Sequence, residues 1–538
     1  MSAFAYPHYP FIRPTEMSGG RQRRPVVIAG GGPVGLTAAL ELAAYGVPAL
    51  VLEDGDTLSE GSRALCWSKR SLEILDRYGV AGRIQAKGFT WNTGRVFLGD
   101  RQLYQFALQP QGDHKHPAFV NLQQYYAELF LVEAVERQPL IELRWQSKVS
   151  GVSARNDGVR IEVETPEGDY SIDADYLVAA DGARSAVRRS LGLDFAGRVF
   201  EDHFLIADVK VNADLPTSDR RFWFHPAFHN GDTALCHKQG DDMWRVDFQL
   251  GWDIDVESEK QPEKALPRIR AMLGDHPMEV GWISIYTFQA RRLAHMRHDR
   301  VLFAGDAAHQ VSPFGARGGN SGIQDAENLA WKLAYVIQGA APERLLDSYD
   351  AERGYAADEN IRITTRTTNF ITPKTPAARA FRDAVLELAA DLPFARALVN
   401  SGRLSTPTVH ANSPLSSDFG GFAGGVPTGA PCPNLPLSSA GSSTRYLLDD
   451  LGGSFQWLYF APPGGGIPET ARQALAQADG VKSDTIVLST ADPTLAAAFD
   501  ATADTCYLLR PDQHVAARWR RFDPAQAGLA LNRALARH

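Results

Sequence analysis

Apolar residues come in distinct textures along this chain. Val26-Val27-Ile28-Ala29 is a short unbroken apolar run, as a strand buried on both faces requires. Glycines follow, and then Val34, Ala38, Ala39, Leu42 and Ala43 recur at helical spacing. Ala49-Leu50-Val51-Leu52 is a second continuous run, ending on Glu53. The spacing predicts a strand–helix–strand unit of about 30 residues. Between 90 and 120, and again between 197 and 298, aromatic and polar residues alternate, as in Arg221-Phe222-Trp223-Phe224 and Trp244-Arg245-Val246-Asp247-Phe248. That period predicts strands of a mostly antiparallel sheet inserted into the first fold. Helical period returns over 321–338, with Ile323, Ala326, Ala330, Leu333, Ala334 and Ile337 on one face and Gly339 as the stop. Residues 404–445 are dense in Ser, Pro and Gly and read as a linker. Phe455–Ala461, Thr485–Ser489 and Cys506–Arg510 then read as strands of a small α/β module.

The bounds narrow the classes. A chain of 538 residues suggests two or three domains. A net charge of −8 gives no support to a nucleic-acid partner. Cys66, Cys236, Cys432 and Cys506 form neither a C-x-x-C pair nor a metal-ligand spacing, as in a reduced, cytoplasmic protein. No signal peptide or membrane span is read, so no membrane partner is expected.

The chemistry lies in three glycine-bearing turns. In Gly30-x-Gly32-x-x-Gly35, with Pro33 opening the helix, the first glycine permits the tight turn. The second lets backbone approach a pyrophosphate and the third packs helix on strand. The helix start offers free N–H groups to the anion. Glu53, 21 residues after Gly32, can accept from ribose hydroxyls. Asp181-Gly182 ends the apolar strand Tyr176-Leu177-Val178-Ala179-Ala180, with Ser185, Arg188 and Arg189 on a following helix. Gly305-Asp306 ends Arg300-Val301-Leu302-Phe303-Ala304 in the same way. An acid there can accept from ribitol hydroxyls, and His309 nearby reads as a structural residue or a base. Pro313-Phe314-Gly315-Ala316-Arg317-Gly318-Gly319-Asn320 opens the next helix, whose N–H groups can stabilise an anionic ring.

In this order and spacing, the motifs resemble those of the group A FAD-dependent aromatic hydroxylases, single-component flavoprotein monooxygenases. The branch they resemble is that of phenol hydroxylase and 3-(3-hydroxyphenyl)propionate hydroxylase. The resemblance covers about residues 24–370. A weaker one, carried by Leu508-Leu509-Arg510-Pro511-Asp512 and Val515-Ala516, extends it to that branch's thioredoxin-like C-terminal domain. It implies a mixed α/β fold: a discontinuous Rossmann-like FAD-binding domain (25–95, 121–196 and 299–370) and an inserted, mostly antiparallel substrate domain (96–120 and 197–298). An N-terminal extension (1–24), a helical segment and linker (371–440) and the thioredoxin-like domain (441–538) complete it. The C-terminal domain would serve structure or dimerisation, in a homodimer. Gly30, Gly32, Pro33, Gly35 and Glu53 match the residues at the ADP half of FAD, and Arg63 an arginine near its phosphates. Gln123, or Gln124 in a shifted register, matches a glutamine beside the flavin. Asp181 and Gly182 match a motif tied to FAD and the nicotinamide cofactor. Gly305 and Asp306 match the ribitol site, and Pro313, Gly318, Gly319 and Asn320 the ring. The family's usual Gly-Gly-Gln-Gly-Met-Asn is here Gly315-Ala316-Arg317-Gly318-Gly319-Asn320. Arg317 would hold an anionic flavin or an acidic substrate, point to solvent, or pair with a carboxylate.

The implied reaction reduces FAD with NADH or NADPH, adds O2, and passes OH from a flavin C4a-hydroperoxide to a small phenolic or aromatic acid. Candidates for the base that activates the phenol are His225, His229, His237 and Tyr286, each with a structural alternative. Arg245 and Arg291 are candidate carboxylate anchors. Trp67, Trp223, Phe224 and Phe288 are candidate pocket walls or simply core. Rival readings are another flavin oxidoreductase, such as a halogenase or a polyketide or heteroaromatic hydroxylase, and a nonenzymatic binding protein on a flavoprotein scaffold.

Overall fold

The apolar runs become the middle of a parallel sheet. The computed structural model describes residues 4–20, 22–61, 63–109, 113–155, 157–211, 219–229, 232–399, 404–437, 444–476 and 481–537. Parallel strands lie in the order Val301–Phe303, Tyr170–Ala179, Arg24–Ala29, Ala49–Leu52 and Ile141–Arg144. Arg24–Ala29 has no solvent-exposed apolar side chain because helices Pro33–Ala44 and Gly318–Ile337 and their neighbours cover the sheet. The chain leaves this strand for Ala49–Leu52 on one side and later returns to its other side with Tyr170–Ala179. Such a reversal opens a crevice at the carboxyl ends of the strands.

An eight-stranded sheet follows, in the order His309–Gln310, Met278–Leu293, Phe195–Val211, Met243–Leu250, Ala234–Lys238, Arg220–Phe224, Thr93–Leu98 and Arg101–Ala107. All neighbours are antiparallel except Arg220–Phe224 beside Thr93–Leu98. Period-2 alternation gives it two different faces. Leu205, Ala207, Trp223, Val246 and Phe248 pack beneath Ala265, Ile269 and Leu273 of the helix Pro262–Leu273. Phe204, Ile206, Phe224 and Phe288 point the other way, toward Phe314. Thr93–Leu98 and Phe195–Val211 cross the expected domain boundaries, since each strand pairs as one piece in this sheet.

The C-terminal strands form a mixed five-stranded sheet in the order Ser417–Asp418, Val515–Trp519, Cys506–Leu509, Phe455–Ala461 and Ser483–Ser489. One face packs on Trp331 and Tyr335 of the long helix Gly318–Ile337 and on Leu531 of Pro524–Ala534. The other packs on Leu447, Leu451, Leu495 and Phe499. The four cysteines are free. No helix among the described residues is long and apolar enough to cross a membrane.

Candidate active site

The three glycine-bearing turns meet at the carboxyl end of the parallel sheet. Gly30 has φ +102°, and a Cβ there would lie 2.4 Å from the Ala180 oxygen, so this position requires glycine. A Cβ on Gly35 would stand 2.0 Å from the Gly30 oxygen, which is why helix and turn can approach so closely. Gly32, the N-cap of Pro33–Ala44, faces open space instead. Glu53 closes the turn: its Oε2 accepts from Gly31 N at 2.6 Å and its Oε1 from Gly55 N at 3.1 Å. Burial, and then Asp54 beside it, push this carboxyl up.

Asp181 Oδ2 accepts from Val187 N at 3.0 Å, while its buried Oδ1 has no partner among the described residues. Gly182 beside it has φ +72° and faces open space. Asp306 stands solvent-exposed, yet protein surrounds it closely enough that burial pushes its carboxyl up, against the pull of His309 and Arg63. It therefore lines a cleft. Behind it lies a buried ionic group. Asp325 Oδ2 accepts from Gly305 N at 3.0 Å and lies 2.7 Å from His309 Nε2, and its Oδ1 accepts from Arg353 Nε at 2.6 Å. His309 thus holds the turn and takes the structural of its two readings.

At the start of the long helix, Asn320 ties three segments together. Its Oδ1 accepts from Ser68 N (2.9 Å) and Ser71 Oγ (2.7 Å), and its Nδ2 donates to Cys66 O (2.8 Å) and Ala316 O (2.6 Å). Gly319 sits beside Ala64 and Pro313 is exposed. Gln124 Oε1 accepts from Ala64 N, while Gln123 Nε2 donates to Gly240 O and its buried Oε1 has no partner among the described residues. Burial pushes the Tyr286 hydroxyl's pKa up, and the nearby Arg63 charge pulls against it. Tyr286 pairs in register with Phe204, and Phe204, Phe288 and Phe314 form an aromatic cluster with centroids 4.8–5.4 Å apart. Among these phenylalanines, only Phe288 was expected at the pocket; Phe314 was signalled by its place inside the Pro313–Asn320 run, and Phe204 had no signal of its own.

Residues 23–364 match the FAD-binding domain family. The chain is 31% identical over 535 residues, 92% of its length and 91% of the relative's, to a 6-methylpretetramide 4-monooxygenase of Streptomyces rimosus. The chain belongs to the FAD-binding domain family.

It is also 31% identical to a 3-(3-hydroxy-phenyl)propionate/3-hydroxycinnamic acid hydroxylase of Mycolicibacterium smegmatis, over 68% of this chain but 65% of that protein. An anhydrotetracycline hydroxylase from Streptomyces rimosus superposes with a TM-score of 0.71 at 29% identity, covering 96% of this chain and 99% of that one.

The residues present fit FAD. Gly30, Gly32, Pro33 and Gly35 would hold its pyrophosphate at the helix start, and Glu53 retains lone pairs for a ribose. The orphaned Asp181 Oδ1, the open space at Gly182 and the exposed Asp306 would face its polar chain. Gly318, Gly319 and Asn320 begin the helix that would meet the ring.

Several residues considered for the substrate pocket have other partners in the fold. Trp223 is 8% exposed and points into the core under Pro262–Leu273, opposite in direction to its neighbours Phe222 and Phe224. Trp67 is 1% exposed, donates from Nε1 to Leu122 O and belongs to the helical core; alternation turns Cys66, not Trp67, toward the sheet. His225 lies against Arg382 and Asp383 of the helix Pro376–Ala389, beyond the end of its strand. His229 Nε2 is 2.6 Å from Gln249 O. Arg291 donates to Gln310 and lies over the Phe195 ring. Arg245 is locked in a two-pronged ion pair with Asp208, Nε–Oδ1 2.8 Å and Nη2–Oδ2 2.7 Å. Arg317 is buried, which excludes the solvent-facing alternative, and donates from Nη1 to Asn360 Oδ1 at 2.7 Å. That contact ties it to the helix Asp347–Ile371 and gives it a positioning part.

Proposed function

We propose that this protein is a monooxygenase that uses FAD, NADH or NADPH, and O2 to hydroxylate an aromatic acid carrying a phenolic hydroxyl. The observation that carries the reading is the aromatic face of the eight-stranded sheet. Phe204, Phe288 and Phe314 stand at the run that begins the long helix, and Tyr286, in register with Phe204, feels the Arg63 charge. When bound, FAD supplies the redox chemistry: it takes electrons from the nicotinamide cofactor and activates O2. The chain's own residues do the rest. The tilted and edge-on phenyl cluster backs the cleft with apolar bulk that excludes water. Arg63 places a cation at the cleft, and the hydroxyl of Tyr286, whose pKa burial raises, stays protonated and able to donate. The helix start at Gly318 offers N–H groups to negative charge on the ring.

A second reading has its own support. The S. rimosus 6-methylpretetramide 4-monooxygenase aligns along nearly the whole chain, whereas the M. smegmatis hydroxylase aligns over about two thirds of it. A polycyclic aromatic substrate is therefore the alternative to a single ring. The homodimer is likewise a proposal, and light scattering that gives the 58.8 kDa monomer overturns it.

The test is direct. The purified protein should be yellow, bleach with NADH or NADPH, and recolour in air. Single-ring and polycyclic hydroxylated acids should stimulate NAD(P)H oxidation and yield hydroxylated product by mass spectrometry. A preparation that binds no flavin even after reconstitution sinks the reading.

A further inference from the structure

One face of the eight-stranded sheet carries a charged cross-strand row whose hydrogen-bonding groups are not all satisfied from within. The register sets Asp208 opposite Arg245 and Arg245 opposite His237. Arg221 pairs with Cys236, so one step along that register brings Arg220 alongside His237. Asp208 and Arg245 satisfy each other, and Gln239 adds a further donor to Asp208. Arg220 is different. Among the described residues it has no carboxylate or carbonyl partner; its contact is with the Trp91 ring, 5.5 Å away. His237 is 4% exposed, and neither ring nitrogen has a hydrogen-bond partner among the described residues. Asp247, two residues along from Arg245 on the same face, has a buried Oδ1 that is also unpartnered.

These groups line a recess. Arg220, Asp247 and Cys66 all keep some accessible surface. Yet burial is the largest influence on the protonation of each. Surface that solvent can reach but protein surrounds is concave surface open on one side. Folded proteins rarely leave buried donors and acceptors unmatched, because their lost hydration is then offset by nothing. Buried His237 and, beside it, the part-exposed Arg220, neither with an acceptor, therefore point to an absent acceptor.

We propose that Arg220 and His237 anchor a carboxylate of the aromatic substrate, while Arg245 is a fixed part of the fold. A carboxylate presents two acceptor oxygens in one plane, matched to the guanidinium fork. Burial, with Arg220 and Arg245 on either side, disfavours the charged form of His237, so its ring offers one N–H donor. Next to the anchor the same face turns apolar, through Phe222, Leu235, Val96 and Ile206. It thus fits a flat body with an acid at one end. Asp247 supplies the opposing charge near Arg220 and works against an incoming anion. This inference rests on the reading of the chain as an aromatic monooxygenase.

The experiment uses the FAD-loaded protein and pairs of probes: 3-hydroxybenzoate, 3-(3-hydroxyphenyl)propionate and 1-hydroxy-2-naphthoate, each beside its methyl ester. Binding is read from the change in the flavin absorbance spectrum. At least one acid should bind more tightly than its ester. Arg220→Gln should weaken that acid about 30-fold or more, and the ester by less than about 3-fold, and Arg220→Lys should recover part of the loss. Asp247→Asn should tighten the acid. The anchor is overturned if every ester binds as well as its acid, or if Arg220→Gln weakens both alike, as a recess holding only water would give. Neutral phenols that are hydroxylated while no acid binds would also remove the anchor and leave the monooxygenase reading standing. If no aromatic compound stimulates NAD(P)H oxidation in a yellow, reducible protein, the underlying reading is what fails.

Discussion

Two small residues near the cleft show opposite relations between side chain and backbone. Gly35 has no room for a methyl group, since its Cβ would meet the Gly30 oxygen at 2.0 Å and Ile28 Cγ2 at 3.3 Å. Gly35→Ala must separate helix from turn, at ~1–3 kcal/mol for overpacking. If that cost falls on the bound state, FAD affinity, read by quenching of flavin fluorescence, should fall by about 5- to 150-fold. Ala316 is the reverse case. It sits at φ +53°, in the left-handed region that costs an L-residue ~1–2 kcal/mol. Ala316→Gly relieves that strain but gains freedom in the unfolded chain. A chemical-denaturation midpoint equal to or above wild type is expected, and a clear loss would show that the Ala316 methyl makes a contact worth more than the strain.

At the scale of elements, Asp325 joins the long helix to the turn at Gly305 and to Arg353 of Asp347–Ile371. Burial alone would push its carboxyl up, but His309, Arg353 and the Gly305 N–H outweigh burial and hold it well below the usual range. A carboxyl depressed in the folded state stabilises fully above its unfolded value, about 3.9. That stability is lost as pH falls toward the folded value. Asp325→Asn leaves Arg353 without its ion pair, at a cost of ~3–5 kcal/mol. Denaturation at pH 7 should show that loss, and the variant's stability should fall less steeply below about pH 4 than wild type does. A parallel acid profile in the variant would place the proton uptake elsewhere.

Across the whole molecule, the C-terminal sheet is fastened to the long helix by Trp331 and Tyr335, and by charge to Glu352 of Asp347–Ile371, which Lys332 of the long helix also holds. Arg510, buried, bonds Glu352 Oε1 at 2.5 Å and Asp512 Oδ2 at 2.6 Å, and Lys332 reaches Glu352 at 2.7 Å. Arg70, on the helix Lys69–Asp76, joins Glu327, Gln513 and the Asp512 carbonyl. The helix that begins at the cleft is thus gripped along its length by the C-terminal part. Arg510→Ala leaves two buried carboxylates short of a partner and should cost ~3–5 kcal/mol in a thermal melt. Removal of 441–538 bares Trp331 and Tyr335, so the shortened chain should aggregate or release FAD. A stable, yellow, fully active truncation would show that this grip has no bearing on the cleft.

Much of this was legible in the chain itself. Gly30 and Gly305 lie in turns that depend on a residue's own backbone freedom, and Gly35 depends on a close approach to a turn five positions away. The same is true of the unbroken runs that became parallel strands, because propensity and period act locally. Alternation also said that Trp223 and Phe224, or Cys66 and Trp67, must point opposite ways. It did not say which way, since that depends on which sheet face a distant helix covers. Only the tertiary structure decided that Trp223 and Trp67 are core. It also paired Arg245 with an aspartate 37 residues away while leaving Arg220 beside His237 without an acceptor. Strand register set those partners, and register follows from the packing of the whole sheet rather than from any residue's neighbours in sequence.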